Sequence, residues 1–186
     1  SKVALVLVCA TAIFSLSGCV TALVGATATG AGLVIGSDSR TIDKMVHDER
    51  IEQEAMEIVK SYQTTNTERL KYSVDVIAMC GNVLIVGETT EQQALKEMIA
   101  KISKIKNVRK IYNYVKNKNP IGAGAVAEDS YITSKVKSAL LLGSNIHSGR
   151  IKVYTEDRDV FLMGYVTRDE AQRAINQTQK IDGINN

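Results

Sequence analysis

The chain has 186 residues, 45% of them hydrophobic, with 23 basic and 20 acidic side chains and a formal net charge of +3. This length permits one domain of ordinary size or two small ones. The only histidines are His47 and His147, with no matching Cys or carboxylate cluster at metal-ligand spacing. No Gly-x-Ser-x-Gly elbow, P-loop or His-Glu-x-x-His occurs, so the common hydrolase, nucleotide-binding and zinc-protease classes have no residues to nominate.

The first 18 residues have the form of a targeting signal rather than a folded element. Lys2 supplies a positive start, and Val3 to Phe14 is an uncharged apolar run. That run is shorter than the roughly 20 apolar residues a membrane-spanning helix needs. Leu16-Ser17-Gly18-Cys19 follows, with small residues before a cysteine. This stretch resembles the lipobox of bacterial lipoproteins. The resemblance implies cleavage before Cys19 and a covalent diacylglycerol plus an acyl chain on its amino-terminal cysteine, with no other cofactor. Two or more chains anchor stably, at about 0.8 kcal/mol per buried CH₂. Val20 stands where an Asp would signal inner-membrane retention, so the resemblance implies the periplasmic face of the outer membrane. Cys9 would leave with the signal, and Cys80 alone would remain, which excludes an intramolecular disulfide. Cys80 sits beside Gly81-Asn82, either as a reactive thiol or as an inert small residue.

Val20 to Gly36 carries no charge and contains Gly25, Gly30, Gly32 and Gly36. Glycine at this density makes a poor helix in water. The segment reads as a flexible tether, or as a stretch lying on the membrane beside the lipid, where Gly32 and Gly36 form a GxxxG spacing.

Beyond the tether the sequence repeats itself. Val83-Leu84-Ile85-Val86-Gly87 and Val160-Phe161-Leu162-Met163-Gly164 are offset by about 77 residues, a spacing set by internal duplication. Val74 and Val76 correspond to Ile151 and Val153 at the same offset. Thr90-Glu91-Gln92-Gln93 and Thr167-Arg168-Asp169-Glu170 read as paired capping boxes, each opening a helix. Ahead of each strand pair lies an amphipathic helix, marked by Ile51, Ala55, Ile58 and Tyr62 in the first copy and by Ile132, Val136 and Ala139 in the second. Asp48 and Asp129 are expected just upstream of these helices as caps. Cys80-Gly81-Asn82 and Asp157-Arg158-Asp159 are expected to close two hairpins. Val108 to Val115 supplies a third strand in the first copy, while Ile184 is followed by only two residues. An incomplete edge of that kind can accept a partner strand.

The order predicts an α+β fold of two α-β-β-α-β units, each a small three-stranded mixed sheet on two helices, the second lacking most of its last strand. The pattern resembles the BON domain (bacterial OsmY and nodulation), and the chain is similar to the dual-BON outer-membrane lipoproteins. The residues that carry this are the lipobox, the paired strands, Tyr131-Ile132-Thr133-Ser134-Lys135-Val136, and Asp38-Ser39-Arg40-Thr41 leading to Val46-His47-Asp48 and Ile51-Glu52. The expected organisation is a signal over 1–18, lipidated cysteine and tether over 19–47, a first BON unit over 48–118, a linker over 119–128 and a second BON unit over 129–186. Val83 and Ile85 would face one side of the sheet, and Leu84 and Val86 the other. Helices cover one side only, so the second should pack on the other repeat or on a partner.

Binding is better supported than catalysis. Between Lys96 and Lys118 lie eight basic residues, among them Lys101, Lys104, Lys106, Arg109 and Lys110, against one acid. Such a run docks anionic headgroups at about 1 kcal/mol per charge, or is a solvated helix face. In the second unit the resemblance implies a phospholipid-binding role for Tyr131, Thr133, Lys135 and Val136, and Leu140 to Leu142 are apolar beyond the needs of one core stripe. The other reading is that Tyr131 and Val136 pack on the sheet. The expected function is a non-enzymatic outer-membrane lipoprotein that binds anionic phospholipid and supports envelope integrity, with a possible link to outer-membrane protein assembly. The alternative is a structural subunit of an envelope protein-assembly or secretion machine. Neither needs a metal, and nucleic acid is a poor partner for a periplasmic chain with so few aromatics among its charges.

Overall fold

Ile51, Ala55 and Val59 recur every four residues, which lays one apolar stripe along helix α1 (Ser39–Ser61). The computed structural model describes residues 39–63 and 71–186; the lipobox and the tether to Gly36 lie outside them. Two units are delimited, Ser1–Ile42 and Asp43–Asn186, and the sheets and cores belong to the second. Strand β1 (Tyr72–Met79) alternates, burying Val74, Val76 and Ala78. Strand β2 (Asn82–Thr89) pairs with it antiparallel and is buried from Val83 onward. Helix α2 (Gln92–Ile102) then crosses over so that β3 (Lys110–Asn113) runs parallel to β2. The sheet order is β1-β2-β3. Strand β3 is shorter than the expected 108–115, but Tyr114 and Lys116 still donate their N–H groups to the Ile85 and Gly87 carbonyls, each at 2.8 Å.

Val83 and Ile85 join the stripe of α1, together with Met98 and Ile102 of α2, in one core. The remainder of the chain builds another. Helix α3 (Ala123–Leu142) contributes Ile132, Val136 and Leu140. A 3₁₀ turn at Ser148–Arg150 leads into β4 (Ile151–Glu156), which pairs antiparallel with β5 (Asp159–Gly164), and α4 (Arg168–Thr178) closes this core with Ala174. The second sheet has two strands among the described residues. Asn185 donates to the Arg158 carbonyl and Val160 to that of Asn186, both at 2.9 Å, so residues 185–186 lie against β5.

Several local expectations are corrected. Asp48 and Asp129 are not helix caps, because the helices begin earlier, at Ser39 and Ala123. Residues 39–47 and 123–128, expected in tether and linker, are therefore helical. The two carboxylates instead reach the hairpin turns. Asp48 accepts from the Cys80 and Gly81 amides at 2.6 and 2.9 Å, and Asp129 from those of Asp157 and Arg158 at 2.8 Å each. All four turn residues have positive φ, as two-residue hairpin loops of the primed type require. Thr90 caps nothing: Glu91 is the N-cap of α2, and the Thr89 hydroxyl accepts from the Glu91 amide. Thr167 does cap α4, accepting from the Glu170 amide at 3.2 Å. Its partner Glu170 does not reach back to the cap. It accepts from the His147 amide at 2.6 Å and lies 2.9 Å from the His147 Nδ1. The His147 amide chiefly, with the ring, holds Glu170 below the usual carboxylate range, while the His147 side chain itself is exposed in a loop.

The second face of the three-stranded sheet is covered within the chain. Val86 is 0% exposed yet lies outside the helix-side core. On its side stands β4. Lys152 donates to Glu52 and to the Ala78 carbonyl at 2.6 and 2.9 Å, and the Tyr154 hydroxyl contacts Asp75, which pairs with Val86. The Phe161 ring packs 5.3 Å from Tyr114. Lys116 reaches Asp157 at 2.9 Å and Asp159 at 2.7 Å, and Lys118 reaches Asp157 at 2.6 Å. Lys118 and then Lys116 hold Asp157 below the usual carboxylate range.

Candidate functional site

Helix α3 divides cleanly by its 3.6-residue period. Ile132, Val136 and Leu140 point into the second core and are buried. The opposite side carries Tyr131 at 65%, Leu141 at 71% and Leu142 at 85% exposure. Tyr131, Ser138 and Leu142 fall at spacings of seven and four, which stacks them on one face. Between them lie the small side chains of Ser134 and Ser138, so the large apolar groups stand proud of the helix surface. These exposed side chains sit on a helix already fixed by its other face, so the core does not account for them.

The expected binding residues separate. Tyr131 and Lys135 come together: the Lys135 Nζ lies 4.8 Å from the Tyr131 ring centroid and donates to the Asp182 carbonyl at 2.7 Å. Cation–π contact of this sort is worth about 0.5–1 kcal/mol at an exposed site. Val136 is fully buried and cannot meet a ligand; its helical register with Ile132 and Leu140 puts it in the core. Thr133 is half-buried, its hydroxyl donating to Thr155 at 2.7 Å, and serves packing between α3 and β4.

The basic run also divides. Lys101 lies over the Tyr62 ring at 4.7 Å and Lys110 over Tyr112 at 4.6 Å. Lys104, Lys106 and Arg109 are exposed around the loop from α2 to β3. Lys116 and Lys118, the last of the run, are committed to Asp157 and Asp159. Burial opposes the charge on Lys116, but Asp159 and Asp157 outweigh it and raise its pKa. The charges of these two lysines are paired with carboxylates.

Little else offers chemistry. An open cleft of about 540 Å³ is lined by Leu84, Tyr112, Tyr114, Phe161, Leu162 and their neighbours. Its one carboxylate, Asp159, is paired with Lys116. Cys80 is half-buried in the first hairpin turn, with its amide on Asp48. Among the described residues no group of three or more His, Cys, Asp or Glu is placed to hold a metal ion, and no helix is long and apolar enough to cross a membrane.

Comparison with known proteins bears on the half that carries this helix. Residues 128–186, from within α3 through β4, β5 and α4, match the BON domain. That segment is similar to the BON domain over its whole described length. The chain is 27% identical over 169 residues to the "Outer membrane lipoprotein DolP" of Haemophilus influenzae, covering 91% of this chain and 85% of that one. It is 28% identical over 152 residues to the "21 kDa hemolysin" of Actinobacillus pleuropneumoniae, covering 81% of this chain and 78% of the relative. The exposed Tyr131, Leu141 and Leu142 therefore lie on the first helix of the BON domain, in the segment that the match covers.

Proposed function

We propose that this protein is a lipid-anchored envelope protein of the outer membrane that docks on anionic phospholipid through the outer face of α3. The observation that carries this reading is the exposure of Tyr131, Leu141 and Leu142 beside Lys135 and Lys137 on a helix whose other face is core. An aromatic with a polar tip, leucines that can enter the acyl boundary and flanking ammonium groups are what an interfacial helix needs. The likeness to a relative named an outer membrane lipoprotein supports the compartment, and Leu16-Ser17-Gly18-Cys19 supports the anchor. The exposed cations between Lys101 and Lys110 would add long-range attraction to the same surface charge.

We further infer that both halves of Asp43–Asn186 are BON units. Asp48 and Asp129 hold their turns by the same pair of amide contacts. The Arg109 amide on the Gly81 carbonyl has its counterpart in the Asn185 amide on the Arg158 carbonyl.

Co-sedimentation of the Asp43–Asn186 fragment with vesicles tests the docking surface. Binding to vesicles containing phosphatidylglycerol is expected, with little to pure phosphatidylcholine and less in high salt. Leu142→Glu and Tyr131→Glu should each weaken binding by about tenfold, since burying a large apolar side chain is worth about 1.5–3 kcal/mol. Val136→Ala should act through stability alone. Equal binding by the Leu142→Glu and parent forms would remove the proposed surface. No lipid response together with co-purification of large protein partners would favour the structural-subunit reading. For the anchor, Cys19→Ser is expected to move the protein from the membrane to the soluble fraction of a cell lysate, and unchanged membrane association would refute acylation there.

A further inference from the structure

Tyr154 stands between two carboxyl groups and has one proton to give. Its hydroxyl contacts Asp75 Oδ2 and lies 3.1 Å from Glu156 Oε2. An ionised carboxylate only accepts hydrogen bonds, and a phenol donates one. The phenol can satisfy one neighbour; the other contact sets lone pair against lone pair unless a carboxyl brings a proton of its own.

The surroundings make a second proton cheaper than a second charge. Glu156 is 8% exposed. Across from it, on β2, Glu88 is 0% exposed and neither of its oxygens has a hydrogen-bond partner of good geometry. Asp75 adds a third carboxyl from β1. The cations packed around the cluster are engaged elsewhere: Lys116 and Lys118, which follow β3, hold Asp157 and Asp159, and Lys152 of β4 holds Glu52 of α1. None of the ion pairs among the described residues includes Asp75, Glu88 or Glu156. Lys118 acts on Glu88 only at a distance, and the backbone of Ile121 only partly offsets its burial.

We propose that Glu156 carries a proton while the β4–β5 hairpin is seated on the three-stranded sheet, so that a proton alkali can remove holds the two halves together. Burial, then the charge of Glu88, pushes Glu156 up from its ordinary 4.5 to about 8. Burial raises Glu88 and Tyr154 as well. The folded state binds this proton more tightly than the unfolded chain does. Its stabilisation is therefore complete below pH 4.5 and is lost as pH rises to about 8. Within that window each pH unit lowers the folding constant by up to about tenfold.

The test uses the full chain in detergent micelles, with glutamate carboxyl carbons labelled for NMR. One glutamate resonance should titrate in the neutral to alkaline range and vanish in Glu156→Gln. In urea unfolding the parent should lose stability between about pH 5 and 8, and Glu156→Gln, which mimics the protonated acid, should show a shallower slope. The proposal is overturned if every glutamate titrates near its ordinary value, or if Glu156→Gln keeps the parental slope. Should Glu156→Gln fail to fold, Glu88→Gln answers the same question. Removing the neighbouring charge should move the high-titrating resonance down, and the absence in that variant of any glutamate titrating above its ordinary range would overturn the proposal.

Discussion

Gly87→Ala is expected to abolish the folded state or to lower the unfolding free energy by more than about 4 kcal/mol, a large share of the 5–15 kcal/mol typical of a domain. Gly87 has φ +115°, a conformation that costs any side chain, and a Cβ there would sit 1.8 Å from the Ser73 carbonyl oxygen and 2.7 Å from its carbon. Both are backbone atoms of β1, held in register by the pairing of Val74 with Gly87. Neither can retreat without breaking the ladder. The corresponding Gly164 differs: its φ is ordinary, and the nearest atom to a Cβ is Ile151 Cγ1 at 3.2 Å, part of a side chain that can give. Gly164→Ala should cost about 1 kcal/mol or less. Urea midpoints of the two variants decide the matter, and near-equal midpoints would show the steric account of Gly87 to be mistaken.

Asp129→Ala should lower stability by about 3 kcal/mol, since a bond from a charged acceptor is worth about 1.5–3 kcal/mol and two amides lose theirs. The site is demanding because Asp157 and Arg158 have φ of 49° and 64°, where non-glycine residues are strained. The carboxylate of Asp129 offsets that strain by binding both turn amides at once. Asp129→Asn keeps one acceptor oxygen and should lose about half as much. Thermal unfolding of both variants against the parent measures the difference; an alanine variant as stable as the asparagine one would show that the bidentate contact contributes nothing.

Much of this arrangement could be read from the residues. The hairpin turns at Cys80-Gly81 and Asp157-Arg158, the strand cores and the buried stripe of Ile132 and Val136 followed from periodicity and turn chemistry. Leu141 and Leu142 were legible as surplus apolar residues, and the helix register then exposed them. What failed depended on contacts between distant segments. Asp48 and Asp129 looked like helix caps because an acidic residue before an apolar stripe usually is one; only the fold brings them to turns some thirty residues away. Val136 and Thr133 were placed in the lipid site with Tyr131 because the resemblance implies it; the other reading, that Val136 packs on the sheet, is the one its burial supports, since a helix sends neighbours to different sides. The cluster of Asp75, Glu88, Tyr154 and Glu156 left no trace in any local pattern, since its members come from four strand positions that meet only when the second hairpin docks.

The concealment of Val86 on the side where β4 stands limits how modular the halves of this chain can be. Without residues 123–186, the first sheet would present Leu84 and Val86 to water as a bare apolar strand surface, of the kind that recruits other chains. The two sheets of Asp43–Asn186 are therefore not interchangeable parts. Each half has become the other's solvent shield, and neither would be inherited, excised or grafted alone without a replacement cover.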